Sequence, residues 1–152
     1  MRELSQAEQH FLQAHRVARL ATADADGQPS AVPICYAFDG RVVYSALDEK
    51  PKSVEPMRLK RVRNIQTNPR VALVIDDYAE DWRSLAYISI RGRAELLAVG
   101  TEEHAGAVRL LRAKYPQYRQ MAIDQQPVVR ITPTSVVSWG AIGALGAPPT
   151  PA

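Results

Sequence analysis

Residues 86–96 (AYISIRGRAEL) alternate without a break. Ile88, Ile90, Gly92, Ala94 and Leu96 share one parity, and Tyr87, Ser89, Arg91, Arg93 and Glu95 share the other. A period of two held this long cannot place its apolar residues on one side of a helix. It fits an antiparallel strand with one buried and one wet face. Such a strand has to find partners, and the chain supplies them. VARLATAD (17–24) ends at the turn sequence Asp24-Ala25-Asp26-Gly27. SAVPICYAF (30–38) and RVVYSAL (41–47) flank Asp39-Gly40. Asp-Gly between two apolar runs signals a hairpin, because glycine supplies the positive φ of primed turns. Pro33 removes a ladder donor from the second strand, which places that stretch at an edge, at a bulge, or beside something that is not a strand. VALVID (71–76) is a continuous apolar run and reads as a strand buried on both sides. PVVRITPTSVVSW (127–139) supplies one or two more strands.

Helices punctuate this series. Ser5-Gln6-Ala7-Glu8 reads as a capping box opening a short helix to about His15, with Phe11 and Leu12 buried. Over residues 56–66, Leu59, Val62 and Ile65 recur at spacing three, until Asn68-Pro69 ends the pattern. Thr101 caps a third helix, with Glu102 and Glu103 in its first turn and Arg112 and Lys114 in its last, both biases suiting the helix dipole. Six or seven strands with hairpin turns and few crossovers favour a mainly β fold with flanking helices, an antiparallel barrel rather than a doubly wound sheet. The expectation is one domain over residues 1–139 and a mobile, Pro-rich tail over 140–152 (GAIGALGAPPTPA).

Composition narrows the function. No apolar run approaches the roughly 20 residues of a membrane helix, and the first residues (MRELSQAEQHF) contain no apolar core of a secretory signal. The single cysteine, Cys35, precludes an internal disulfide and a thiolate-rich zinc site. A cytoplasmic protein is the expectation. Net charge is +3, but residues 50–70 carry seven basic residues against Glu55 alone; the remaining 12 basic and 15 acidic residues give −3. The basicity is one local patch, which suits a phosphate or carboxylate ligand better than the broad footprint of nucleic acid. The acidic run Asp76–Asp81 that follows would repel a phosphate backbone.

Few residues carry obvious chemistry. There is no Gly-x-Ser-x-Gly elbow and no phosphate loop, and His10, His15 and His104 have no His or Cys partner at metal-ligand spacing, so no metal site is expected. Cys35 reads as a small buried hydrophobe. Lys50-Pro51-Lys52 stands out because Pro51 stiffens the link between two ammonium groups. The pair is either a solvated loop or an anchor for one anion at a barrel mouth. Arg58, Arg61 and Arg63 are either further anion contacts or the wet side of their helix. Trp82, in EDWRS, is either a stacking wall over a flat ligand or an interface residue. Trp139 reads as packing or subunit contact.

The order of these pieces resembles a known family. LATADADGQPSAVP, the DEKPK loop, RNIQTNPRV and RGRAEL, in that order, look like the pyridoxamine 5′-phosphate oxidase-like, FMN-binding split-barrel family, and within it the branch of oxidoreductases that use the deazaflavin coenzyme F420. The resemblance implies a six-stranded antiparallel split barrel that forms a homodimer, with the cofactor at the subunit interface. It implies that Lys50 and Lys52 hold the phosphate, that Ser45 and Ala46 line the same side, that Pro33, Ile34 and Cys35 lie along the ring system, that Arg61 adds a contact, and that Trp82 comes from the partner subunit. It implies hydride transfer between F420 and a small unsaturated substrate, with chemistry residing in the cofactor. FMN is the alternative cofactor, and non-catalytic cofactor binding the alternative role.

Overall fold

The computed structural model describes residues 1–47 and 55–144. The first helix, α1 (Gln6–Ala14), begins as its sequence dictates. The Ser5 hydroxyl accepts the Glu8 N–H at 3.1 Å, and the Glu8 carboxylate accepts the Ser5 N–H at 2.9 Å. Arg2 forks onto the same carboxylate at 2.6 and 2.8 Å, which, with the capping bond, holds its pKa at about 2. Phe11 and Leu12 are completely buried, so this cap fixes a lid on the core.

Among the described residues one antiparallel sheet holds seven strands: β1 (Ala18–Ala23), β2 (Pro29–Ile34), β3 (Ala37–Phe38), β4 (Val43–Ala46), β5 (Arg70–Asp77), β6 (Ala86–Leu97) and β7 (Val128–Gly140). Their order across the sheet is β2-β1-β5-β6-β7-β4-β3. The two edge strands, β2 and β3, are consecutive in the chain and separated only by Cys35 and Tyr36. The sheet must therefore curl until its edges meet, which makes it a split barrel.

The strand expected over 30–38 is thus two strands, and this accounts for a seventh strand where six were expected. The cause is Tyr115. Its hydroxyl accepts the Tyr36 N–H at 3.0 Å and lies 2.9 and 2.7 Å from the carbonyl oxygens of Tyr36 and Arg16, sharing its proton between them. The main chain of Tyr36 is satisfied by a phenol and leaves the ladder. Pro33 sits in edge strand β2, opposite Arg19, where its missing donor costs nothing. The hairpin at Asp39-Gly40 forms as expected. Asp39 Oδ1 accepts the N–H groups of Arg41 and Val42 at 2.8 Å each, and Gly40 has φ +101°.

Two cores result. Alternate residues of β1, β5, β6 and β7 (Leu20, Leu73, Ile75, Ile88, Ile90 and Ile131 among them) fill the barrel with Phe11 and Leu12. Helix α2 (Lys60–Thr67), entered through a 3-10 turn at Pro56–Arg58, buries Val62 and Ile65, and its buried Asn64 donates to Thr22 at 2.9 Å. Helix α3 (Glu102–Lys114), capped by Thr101, builds the second core. Its Ala107, Val108 and Leu111 roof Ala37, Tyr44, Ala46 and Val128 on the outer side of β3 and β4.

β5 departs from expectation. Val71, Leu73 and Ile75 are buried, but Ala72 is half-buried and Val74 exposed. Among the described residues no element covers that side, so the apolar run is buried on one face only. At the other end of the chain, the Ala141 N–H donates to the Leu85 carbonyl at 3.1 Å and Ile142 packs on the barrel core. Residues 145–152 of the expected tail lie outside the described residues.

Candidate functional site

Among the described residues nothing roofs the outer face of β1, β5, β6 and the C-terminal half of β7. Strand register lays Pro33, Arg19, Val74, Ser89 and Val137 in one row across it. Beside this row opens a groove of about 590 Å³, lined by Val74, Asp76, Tyr78, Trp82, Leu85, Tyr87, Ser89 and Trp139. Tyr87 and Trp139 are register partners on β6 and β7, and their rings stack with centroids 6.0 Å apart. Trp82 is held over the groove by a tight turn. Asp81 accepts the Arg83 N–H through its side chain and the Ser84 N–H through its carbonyl, and the Leu85 N–H donates to Trp82 O. Trp82 is 73% exposed, Tyr78 76% and Trp139 48%. Asp76 is engaged by Arg19 at 2.5 Å. A space this size, walled by aromatic rings with few polar groups, is the usual form of a small-molecule site, and so large an exposed apolar patch marks a binding surface.

The expected site residues do not fall in one place. Trp82 is in the groove. Pro33 is exposed on β2, two strands from Val74, a separation of about 10 Å at the usual strand spacing. Ile34, Ser45 and Ala46 are buried. Ser45 donates to the Cys35 carbonyl at 3.0 Å, so β4 is tied to the link between β2 and β3 where the barrel splits, and the Cys35 thiol is free and half-buried there. Arg61 lies half-buried on α2. Lys50 and Lys52 lie outside the described residues.

These places are far apart. Ser45 is paired with Val129 and Tyr87 with Trp139, ten residues further along β7. At strand rise that is roughly 30 Å. One subunit cannot present Trp82 and the Ser45–Ala46 corner to the same small ligand. Tyr78, Tyr87 and Trp139 join Trp82 in the groove without having been singled out as its wall. The signal was available for Tyr87, whose outward parity in 86–96 is plain, but not for the register that sets Trp139 against it. Among the described residues there is no group of three His, Cys, Asp or Glu side chains able to hold a metal, and no helix is long and apolar enough to cross a membrane.

Residues 4–140 match the family model described as pyridoxamine 5′-phosphate oxidase. The chain belongs to that family. It is 30% identical over 145 residues, 93% of this chain and 86% of the relative, to the 5a,11a-dehydrotetracycline/5a,11a-dehydrooxytetracycline reductase of Streptomyces rimosus subsp. rimosus. Two solved structures share its fold. One is an F420 reductase (22% identity, TM-score 0.64, covering 88% of this chain and 98% of that one). The other is the heme storage protein HutZ of Vibrio cholerae (15% identity, TM-score 0.72, covering 90% and 94%). A relative of this chain is thus a reductase, and its fold is shared with a heme storage protein.

Proposed function

We propose that the protein is a cytoplasmic homodimeric reductase that holds the deazaflavin coenzyme F420 in a groove between subunits and reduces a flat, conjugated, unsaturated carbonyl compound. The observation that carries this reading is the roughly 30 Å between the aromatic wall and the Ser45–Ala46 corner, which precedes Lys50 and Lys52 in the sequence. A two-fold axis brings opposite ends of two identical surfaces together, so the wall of one copy can face the corner of the other. The residues fit a planar tricyclic ring: Trp82, Tyr87 and Trp139 offer stacking faces, and Val74 and Leu85 an apolar floor. When bound, such a coenzyme supplies the hydride. This chain's part is to orient the ring, exclude water from its face and anchor its phosphate. The reductase relative supports an enone-type substrate class.

The test is a parallel titration of the purified protein with F420 and FMN, alongside its mass by light scattering. The reading expects twice the chain mass and saturable F420 binding that is lost in Lys52→Ala. Tight binding of FMN alone moves the chemistry to a flavin enzyme, and binding of neither overturns the proposal.

A further inference from the structure

The bare face holds a second groove, about 460 Å³, at the other end of the same strands. Its lining includes three arginines and no acidic residue: Arg70 on β5, and Arg91 and Arg93 on β6. Arg70 and Arg93 are direct register partners. Like charges set opposite each other on neighbouring strands oppose folding, and Arg91 adds a third positive charge two residues along the same face. All three side chains are exposed. Among the described residues none of them has an acidic partner, whereas the other arginines of the sheet are paired: Arg19 with Asp76, and Arg130 with Glu95 and Glu103.

The floor beneath them is kept open. Ala21 and Ala72 offer a single methyl each; Gly92, between the two β6 arginines, has the opposite parity and faces the barrel. A Cβ on Gly92 would lie 2.7 Å from the Thr132 carbonyl oxygen. The backbone is pinned there at a β-bulge between Arg91 and Gly92, with the Thr134 hydroxyl donating to Arg91 O at 3.2 Å. Three planar, always-charged forks lining one shallow groove suit oxyanions, because each guanidinium can grip a phosphate or carboxylate through two parallel hydrogen bonds.

We propose that this groove binds a compact polyanion, phosphate or carboxylate in chemistry, through Arg70, Arg91 and Arg93. The ligand is either a separate small metabolite or the charged end of a longer molecule whose flat portion sits in the aromatic groove, since Arg91 follows Ser89 by one outward position on β6. The site stands on its own residues and does not require the redox reading.

The test is calorimetric titration of the whole chain with citrate and with inorganic phosphate at low ionic strength. Saturable binding is expected, weakened at least tenfold in Arg91→Gln/Arg93→Gln. It should be unchanged in Arg109→Gln/Arg119→Gln, which removes the same charge from exposed positions on α3 and the turn after it. If F420 or FMN affinity falls with citrate affinity in the first variant, the anion is the end of that cofactor; if cofactor affinity holds, it is a separate ligand. Both outcomes support the site. Absence of saturable binding to the unsubstituted protein, equal weakening in the control variant, or loss of the dimer without any anion binding overturns it.

Discussion

The two halves of the sheet are built alike and finished differently. Under α3, the outer face of β3 and β4 is sealed: Ala46 is 2% exposed, and Tyr44 is buried with its hydroxyl on Glu103 at 2.8 Å, burial pushing its pKa up. On β5, β6 and β7 the same outward parity leaves Val74, Val137, Tyr87 and Trp139 without cover. Strand chemistry does not distinguish the two. What differs is that one face has its roof within the described residues and the other has none there, and a monomer seldom leaves so much apolar surface wet.

The sharpest way to break this comparison is one substitution made on both sides. Ala46→Asp places an unpaired carboxylate under α3 and should cost about 4 kcal/mol in urea unfolding. Val137→Asp should change the stability of the isolated subunit by less than about 0.5 kcal/mol while halving the mass seen by light scattering. Comparable destabilisation at both sites would erase the distinction. Next in size is Tyr115→Phe. It strands the N–H of Tyr36 and two carbonyls in a buried setting and should cost about 3 kcal/mol. A loss under 1 kcal/mol would mean that the phenol is not what divides β2 from β3. Gly92→Ala forces a methyl against the Thr132 carbonyl and should cost about 2 kcal/mol by chemical denaturation.

The smallest effect is one of pH. Lys114 reaches the His15 carbonyl at 2.5 Å and lies 4.0 Å from the centre of the Tyr36 ring. Burial lowers its pKa from 10.5 to about 8. The folded state therefore releases this proton near pH 8 while the unfolded chain keeps it to about 10.5, so stability rises with pH across that window. Melting curves at pH 8 and pH 10 should show the native protein gaining on Lys114→Met. A gap that stays level or narrows would contradict the burial of that ammonium.

Local chemistry was legible in the sequence and long-range chemistry was not. The Ser5–Glu8 box, the Asp39-Gly40 turn, the Thr101 cap and the alternation through β6 each rest on residues within a few positions of one another, and each is present. The break at Cys35–Tyr36 depends on a tyrosine 79 residues away, so a continuous strand was the natural expectation. VALVID looked doubly buried because an apolar run reads the same whether this chain or another molecule covers its second face. The arginine groove was hidden for a related reason: Arg91 and Arg93 read as a wet parity until register set Arg70 directly opposite Arg93. Pro33 was read as marking an edge, a bulge or a non-strand neighbour, and it lies at an edge; a missing donor is a property of the residue itself.

The central claim is that the uncovered aromatic groove receives a planar redox cofactor. The chain has two tryptophans, Trp82 and Trp139, and both line that groove. Indole emission therefore reports on this site alone. Titration with F420, and separately with FMN, should shift the emission saturably to shorter wavelength as the ring displaces water from both indoles. A cofactor shown by equilibrium dialysis to bind while the emission wavelength stays fixed, or binding of neither cofactor, would contradict the account.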